Sequence, residues 1–96
     1  MTDQDKFVAS AKRVIDAEAA ALTTLSATLG PSFGEAVTLL LNAKGRVIVS
    51  GMGKSGHIAR KMAATFASTG TPAHFVHPAE ASHGDLGMMT SGDVVI

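Results

Sequence analysis

Gly51-Met52-Gly53-Lys54-Ser55-Gly56 puts three glycines, a cation and a hydroxyl into one short stretch. Glycines let a backbone turn tightly and aim its N–H groups at a ligand, so the stretch reads as an anion cradle. The turn that follows, His57 to Lys61, carries Arg60 and Lys61 and no acid. The positive end of a helix dipole favours Asp or Glu there, and an anionic ligand would repair the mismatch. The alternative is that Arg60 and Lys61 are solvated surface charges and the glycines form a turn without a ligand. A nucleotide P-loop is excluded, because its pattern needs a glycine where Ile48 stands. The dinucleotide spacing is met at Gly51, Gly53 and Gly56, but such a site wants an acid at the end of the next strand, and His77-Pro78 stands there with Glu80 slightly late. Lys54 and Ser55 suit a single terminal phosphate or a reacting sugar better than a shielded pyrophosphate.

A second polar cluster, His77, Glu80, His83 and Asp85, follows the second strand read below. Open α/β sheets bind ligands at the carboxyl ends of their strands, so this cluster should lie near the glycine turn. Histidines there could move protons between neighbouring sugar atoms or hold a metal through neutral imidazole. The structural alternative is that Glu80 and Asp85 cap short helical turns and the histidines hydrogen-bond the loop. The spacing of His77 and His83 matches no standard zinc pattern, and His74, in mid-strand, reads as structural.

These groups need a scaffold. Phe7, Ala11, Val14, Ile15, Leu22, Leu25 and Leu29 recur at threes and fours, which predicts a long amphipathic helix from Asp5 to Thr28. Its end could pack on a partner chain. Gly30-Pro31 stops it, and Ser32 with Glu35 predicts a capping box opening a second helix through Val37, Leu40 and Leu41, ended by Asn42 to Gly45. Arg46 to Ser50, with Val-Ile-Val, reads as a buried parallel strand. Ile58, Met62 and Phe66 with intervening alanines read as a helix packed closely on a sheet, with Gly70 its C-terminal cap. Ala73 to Val76 reads as a second strand and Asp93 to Ile96 as the opening of a third. The alternation predicts an α/β fold, a doubly wound parallel sheet of which about half, on the usual five strands or so, is present. Residues 1–45 would form N-terminal helices and residues 46–96 the first part of the sheet domain.

The 96 residues are 46% hydrophobic and carry eight acidic and eight basic side chains, so one domain or part of one is the ceiling. Zero formal charge speaks against a nucleic-acid surface or a polybasic membrane anchor. The chain has no cysteine, which removes disulfides and thiolate chemistry and fits a reducing cytoplasm. Its polar N-terminus is unlike a signal peptide, and the expectation is a cytoplasmic protein.

Gly-Met-Gly-Lys-Ser-Gly-His, then Ser-Thr-Gly-Thr-Pro, then His-Pro-Ala-Glu-Ala-Ser-His-Gly-Asp-Leu-Gly together resemble the D-arabinose 5-phosphate isomerases of the sugar isomerase, or SIS, domain family. The resemblance is strong from about Arg46 to Ile96. It implies a Rossmann-like SIS domain that interconverts D-ribulose 5-phosphate and D-arabinose 5-phosphate through an enediolate, for synthesis of the lipopolysaccharide sugar Kdo. Such chemistry needs a base, a proton shuttle and a positive group near the developing oxyanion. By the resemblance Lys54 is the catalytic lysine, acting electrostatically, and Ser55, with Gly53 and Gly56 of the same loop, contacts phosphate. Gly70, Thr71, His77 and His83 match substrate positions. No cofactor is implied as required; His77 also matches the site of a zinc ion implied to be inhibitory. Homotetramers with active sites at subunit borders are the implied assembly.

The family's second phosphate loop, its catalytic glutamates and a further catalytic histidine match nothing up to Ile96. General-base catalysis is typically worth about a hundredfold to ten-thousandfold, so these residues alone are expected to be inactive. Sugar isomerase folds also serve as non-catalytic phosphosugar sensors, and this is the competing function. Lys54 and His83 discriminate, because a sensor has little need of a lysine aimed at reacting carbons.

Overall fold

A computed structural model describes residues 1–96, the side chain of Asp85 excepted. Two compact units result, residues 1–34 and 35–96.

In the first unit, α1 runs Asp3–Thr28 and buries none of its residues. It starts two residues earlier than its apolar period predicts because Thr2 and Asp5 form a capping box. The Thr2 hydroxyl accepts from Asp5 N (3.1 Å), and the Asp5 carboxylate accepts from Thr2 N (2.9 Å) and Thr2 Oγ1 (2.8 Å). These bonds, the backbone one first, hold the Asp5 carboxyl below its usual range. The apolar residues Phe7, Val14, Ile15, Leu22, Leu25 and Leu29 all stand exposed.

Helix α2 spans Pro31–Leu41. The capping box expected at Ser32 and Glu35 does not open it. Pro31 takes the first helical position, where its missing N–H costs nothing, and Ser32 falls inside the helix. Leu40 packs on the core of the second unit.

That unit is built on β1, Val47–Val49, whose three side chains are essentially inaccessible. Helix α3, Gly53–Ser68, returns over the sheet and lays Ala59 and Ala63 on Val47 and Val49, with Phe66, Ala73 and Phe75 around them. Alanines on this face allow close approach. Strand β2, Ala73–Phe75, pairs parallel with β1 in the register Val47↔Ala73 and Val49↔Phe75. Strand β3, Val94–Val95, pairs parallel on the other side, Val47↔Val94. Both outer strands are shorter than read from sequence, although Val76 N still donates to Val49 O (3.0 Å) and Ser50 N to Ile96 O (2.9 Å).

The order β2-β1-β3 places successive strands on opposite sides of β1. The chain therefore reverses its winding direction at β1, the arrangement of a doubly wound sheet, and opens a crevice at that strand's carboxyl end. Asp93 latches β3 to the start of β1. Its nearly inaccessible carboxylate accepts from Arg46 N (2.7 Å) and Thr90 N (2.8 Å), and Arg46 Nη2 stands 3.8 Å away while donating to Met88 O. The backbone bond from Arg46, then that from Thr90, holds the Asp93 carboxyl below its usual range. Between β2 and β3 lie a short helix α4, Pro78–Ser82, and a 3-10 turn.

Candidate functional site

β1 ends at Val49, and the chain leaves it through Ser50, Gly51 and Met52. Ser50 Oγ donates to Val76 O (2.6 Å), tying the ends of the two neighbouring strands together. Gly51 and Gly56 are fixed by crowding: a Cβ on Gly56 would lie 2.6 Å from Gly51 O, and one on Gly51 would lie 3.0 Å from Ser55 backbone atoms. Gly53 is fixed by conformation, with φ +58° and open space around it. The turn is thus packed at its ends and left-handed at its middle.

α3 begins at Gly53, not after the glycines, and this corrects the sequence reading. Its first turn holds Lys54 and Ser55, both exposed, and no acid. Met52 at the N-cap supplies no side-chain hydrogen bond. The cation at the positive end of the α3 dipole is therefore Lys54, while Arg60 and Lys61 fall further along the helix. The Arg60 guanidinium carbon sits 4.1 Å from the centre of the Phe75 ring, a cation–π contact. Lys61 borders an apolar groove of about 410 Å³ with Ile58, Met62, Thr65 and Phe66.

His77 follows β2 and lies at the same carboxyl edge as Lys54, since Val49 and Phe75 are register partners. It is half-buried and caps α4, its Nδ1 accepting from Ala79 N (3.1 Å). The Phe75 ring stands edge-on to it, centroids 6.4 Å apart and planes at 75°. His83 closes α4 through its backbone N–H to Glu80 O (3.0 Å) and has an exposed side chain. Glu80 lies in the first turn of α4, and the Asp85 side chain that the sequence groups with these lies outside the described residues. Among the described residues, no three His, Cys, Asp or Glu stand together as a metal site would need.

Gly70 and Thr71 are elsewhere. Gly70, at φ +99°, follows the α3 C-cap, and Thr71 N donates to Phe66 O (2.8 Å), a Schellman closure of the kind a terminal glycine permits. Because α3 runs against the strands, the 16-residue helix carries this pair to the opposite edge of the sheet, about 24 Å along its axis from Lys54. Within one chain the structure puts Gly53, Lys54, Ser55 and Gly56 in one turn and His77 on the same carboxyl edge, with His83 at the C-cap of α4, and leaves Gly70 and Thr71 at the far end of α3. Ser50 and Phe75 belong to the same edge and carry little sequence signal: one is a hydroxyl at a strand end, the other an apolar residue in a strand. His74 faces out of β2 in register with Ile48.

Against known proteins, residues 39–96 match the SIS domain family. The whole chain is 57% identical to arabinose 5-phosphate isomerase KdsD of Pseudomonas aeruginosa and covers 29% of that protein. Over 90 residues it is 56% identical to the Escherichia coli K12 protein of the same name, covering 94% of this chain and 27% of the relative. The chain thus spans less than a third of the length of these curated relatives. In structure it is similar to the Escherichia coli CFT073 protein c3406 solved in complex with arabinose 5-phosphate, with a TM-score of 0.89 and 44% identity, over 99% of this chain and 50% of that one.

Proposed function

The chain belongs to the SIS domain family, and from that premise we propose that it contributes the first half of the active site of a phosphosugar isomerase. The reaction is the interconversion of D-ribulose 5-phosphate and D-arabinose 5-phosphate through an enediolate, feeding Kdo and lipopolysaccharide synthesis in the cytoplasm. The observation that carries this reading is the placement of Lys54. It stands in the first turn of α3, which has no acid and no side-chain cap, at the switch point of the sheet and on the same edge as His77.

Each residue singled out from the sequence on this side of α3 then has a role. Backbone N–H groups of the first turn, with Ser55 Oγ, bind phosphate at the positive end of the helix dipole. Lys54 stabilises the negative charge that develops on the enediolate oxygen, and such preorganised charge is commonly worth about 3–4 kcal/mol in the transition state. His77 and His83 orient the sugar hydroxyls. Proton abstraction beside the carbonyl falls to a carboxylate supplied by a longer protein of the relatives' length. The 96 residues alone should accordingly bind weakly without turnover.

Gly70 and Thr71 cannot reach the same ligand from the opposite edge of the sheet. We propose that they serve the site of a second copy, in an assembly of four with shared sites. The exposed apolar stripe of α1 supports an assembly of this kind.

A non-catalytic phosphosugar-binding module is the second reading. What favours it is that the groups placed at this edge, the backbone of the first turn of α3 with Ser55 and His77, are binding groups. Lys54→Ala separates the two. In a protein of the relatives' length it should lower kcat by at least about a hundredfold while leaving D-arabinose 5-phosphate affinity within a few-fold. A comparable loss of affinity, with wild-type protein that binds but does not turn over, would establish the sensor.

A further inference from the structure

We infer that His77 is built as a hydrogen-bond donor from Nε2, and that a metal ion at either of its ring nitrogens must break the cap of α4, so that His77 is not a resident zinc ligand. A neutral imidazole has one N–H and one lone pair. Here the lone pair is Nδ1, because it accepts the Ala79 N–H at 3.1 Å. Pro78 at the first helical position has no N–H of its own, so Ala79 supplies the first free donor of α4, and His77 satisfies it. The proton of the ring therefore sits on Nε2.

The contacts around the ring hold it in that pose. His77 O accepts from Ala81 N (2.9 Å), which fixes the residue's backbone at the start of α4. Phe75 stands edge-on to the imidazole and is itself covered by Arg60.

Coordination through Nε2 would need its lone pair and would push the proton to Nδ1, leaving two N–H groups facing each other at hydrogen-bond distance. Coordination through Nδ1 would displace Ala79 directly. Metal-binding histidines are ordinarily supported in the opposite sense, donating their second N–H to a carboxylate or carbonyl. At His77 the supporting group is a donor, which is the wrong partner for a ligand and the right one for an Nε2–H aimed at an oxygen. That the oxygen belongs to a sugar phosphate rests on the proposed function; the tautomer and the conflict with metal do not.

The test is carried out without sugar phosphate, on protein with labelled imidazole nitrogens. Long-range proton–nitrogen correlation spectra above the titration range of histidine should show Nε2 protonated and Nδ1 bare, with the Ala79 amide slow to exchange. His77→Ala should speed Ala79 exchange by about 2- to 30-fold, the range spanned by loss of a helix N-cap. His77→Asn, which keeps a capping acceptor, should restore most of the protection and confirm that the fold is intact. Zinc chloride should either leave the His77 nitrogens unshifted or shift them only together with loss of Ala79 protection. A bare Nε2 in the metal-free protein would overturn the inference, as would zinc bound at His77 with Ala79 exchange unchanged.

Discussion

Gly56→Ala should destabilise the protein and disturb the proposed anion cradle together. The added Cβ would stand 2.6 Å from Gly51 O and 3.2 Å from Gly51 C, both backbone atoms, whereas ordinary contact begins at 3.4 Å. Relief needs α3 and the turn to separate by about 0.8 Å, the shortfall in the shorter contact. Overpacking of this kind costs about 1–3 kcal/mol, and replacing a helical glycine by alanine returns about 0.8–1 kcal/mol. No flexible side chain can yield here, so the cost lies in the upper part of its range and the net loss is about 1–2 kcal/mol. Urea denaturation would read it as a lower midpoint at unchanged slope, and, on the proposed function, D-arabinose 5-phosphate titration would read the displaced turn as weaker binding. Two other glycines serve as controls. Gly53→Ala meets no atom within 4 Å but must hold φ +58°, so it should lose about 1–2 kcal/mol through backbone conformation alone. Gly34→Ala also meets nothing within 4 Å and its φ is not positive, so it should gain about 0.5–1 kcal/mol. A Gly56→Ala midpoint equal to or above that of wild type would refute the crowding argument.

Acid should weaken the β1–β3 latch. The Asp93 carboxyl is held below its usual range, so its contribution is complete above the ordinary aspartate value of about 3.9 and is lost as pH falls through the lower folded value. Denaturation midpoints taken across that range should fall more steeply for wild type than for Asp93→Asn; parallel profiles would contradict the assignment. Arg60→Ala should cost about 0.5–1 kcal/mol through loss of the cation–π contact with Phe75, measured by the same denaturation. Arg60→Lys should recover part of it, and an Arg60→Ala midpoint equal to that of wild type would show that the charge is merely solvated.

What can be read from sequence depends on whether the cause is local. The Val-Ile-Val run, the alanine face of α3 and the three glycines announce strand, helix and turn by residue type alone, and the winding of the sheet follows from their alternation. The start of α3 is hidden because glycine is a poor helix former, yet the helix begins at Gly53, at φ +58°, inside the glycine stretch. Arg60 looks like a charge awaiting an anion because its aromatic partner, Phe75, lies on the next strand and meets it only once α3 has folded back. Capping misleads twice. Ser32 and Glu35 have the right letters, yet Pro31 claims the helix start, while Thr2 and Asp5 perform the role with a shorter acid. The edge on which His77 lies follows from its place after a strand, but an imidazole serving as a helix cap is a use that residue type does not advertise.

The central position of β1 also biases the order in which the chain assembles. The bond from Ser50 to Val76 closes 26 residues of chain, and that from Arg46 to Asp93 closes 47. The difference in closure entropy is only about 0.5 kcal/mol, but the nearer pairing also brings in the buried alanines of α3, whereas the farther one gains two residues of strand. The β1–α3–β2 unit is therefore expected to form first, with β3 joining after the rate-limiting step. Weakening the Asp93 latch should thus shorten the lifetime of the native state and leave the speed of reaching it nearly untouched.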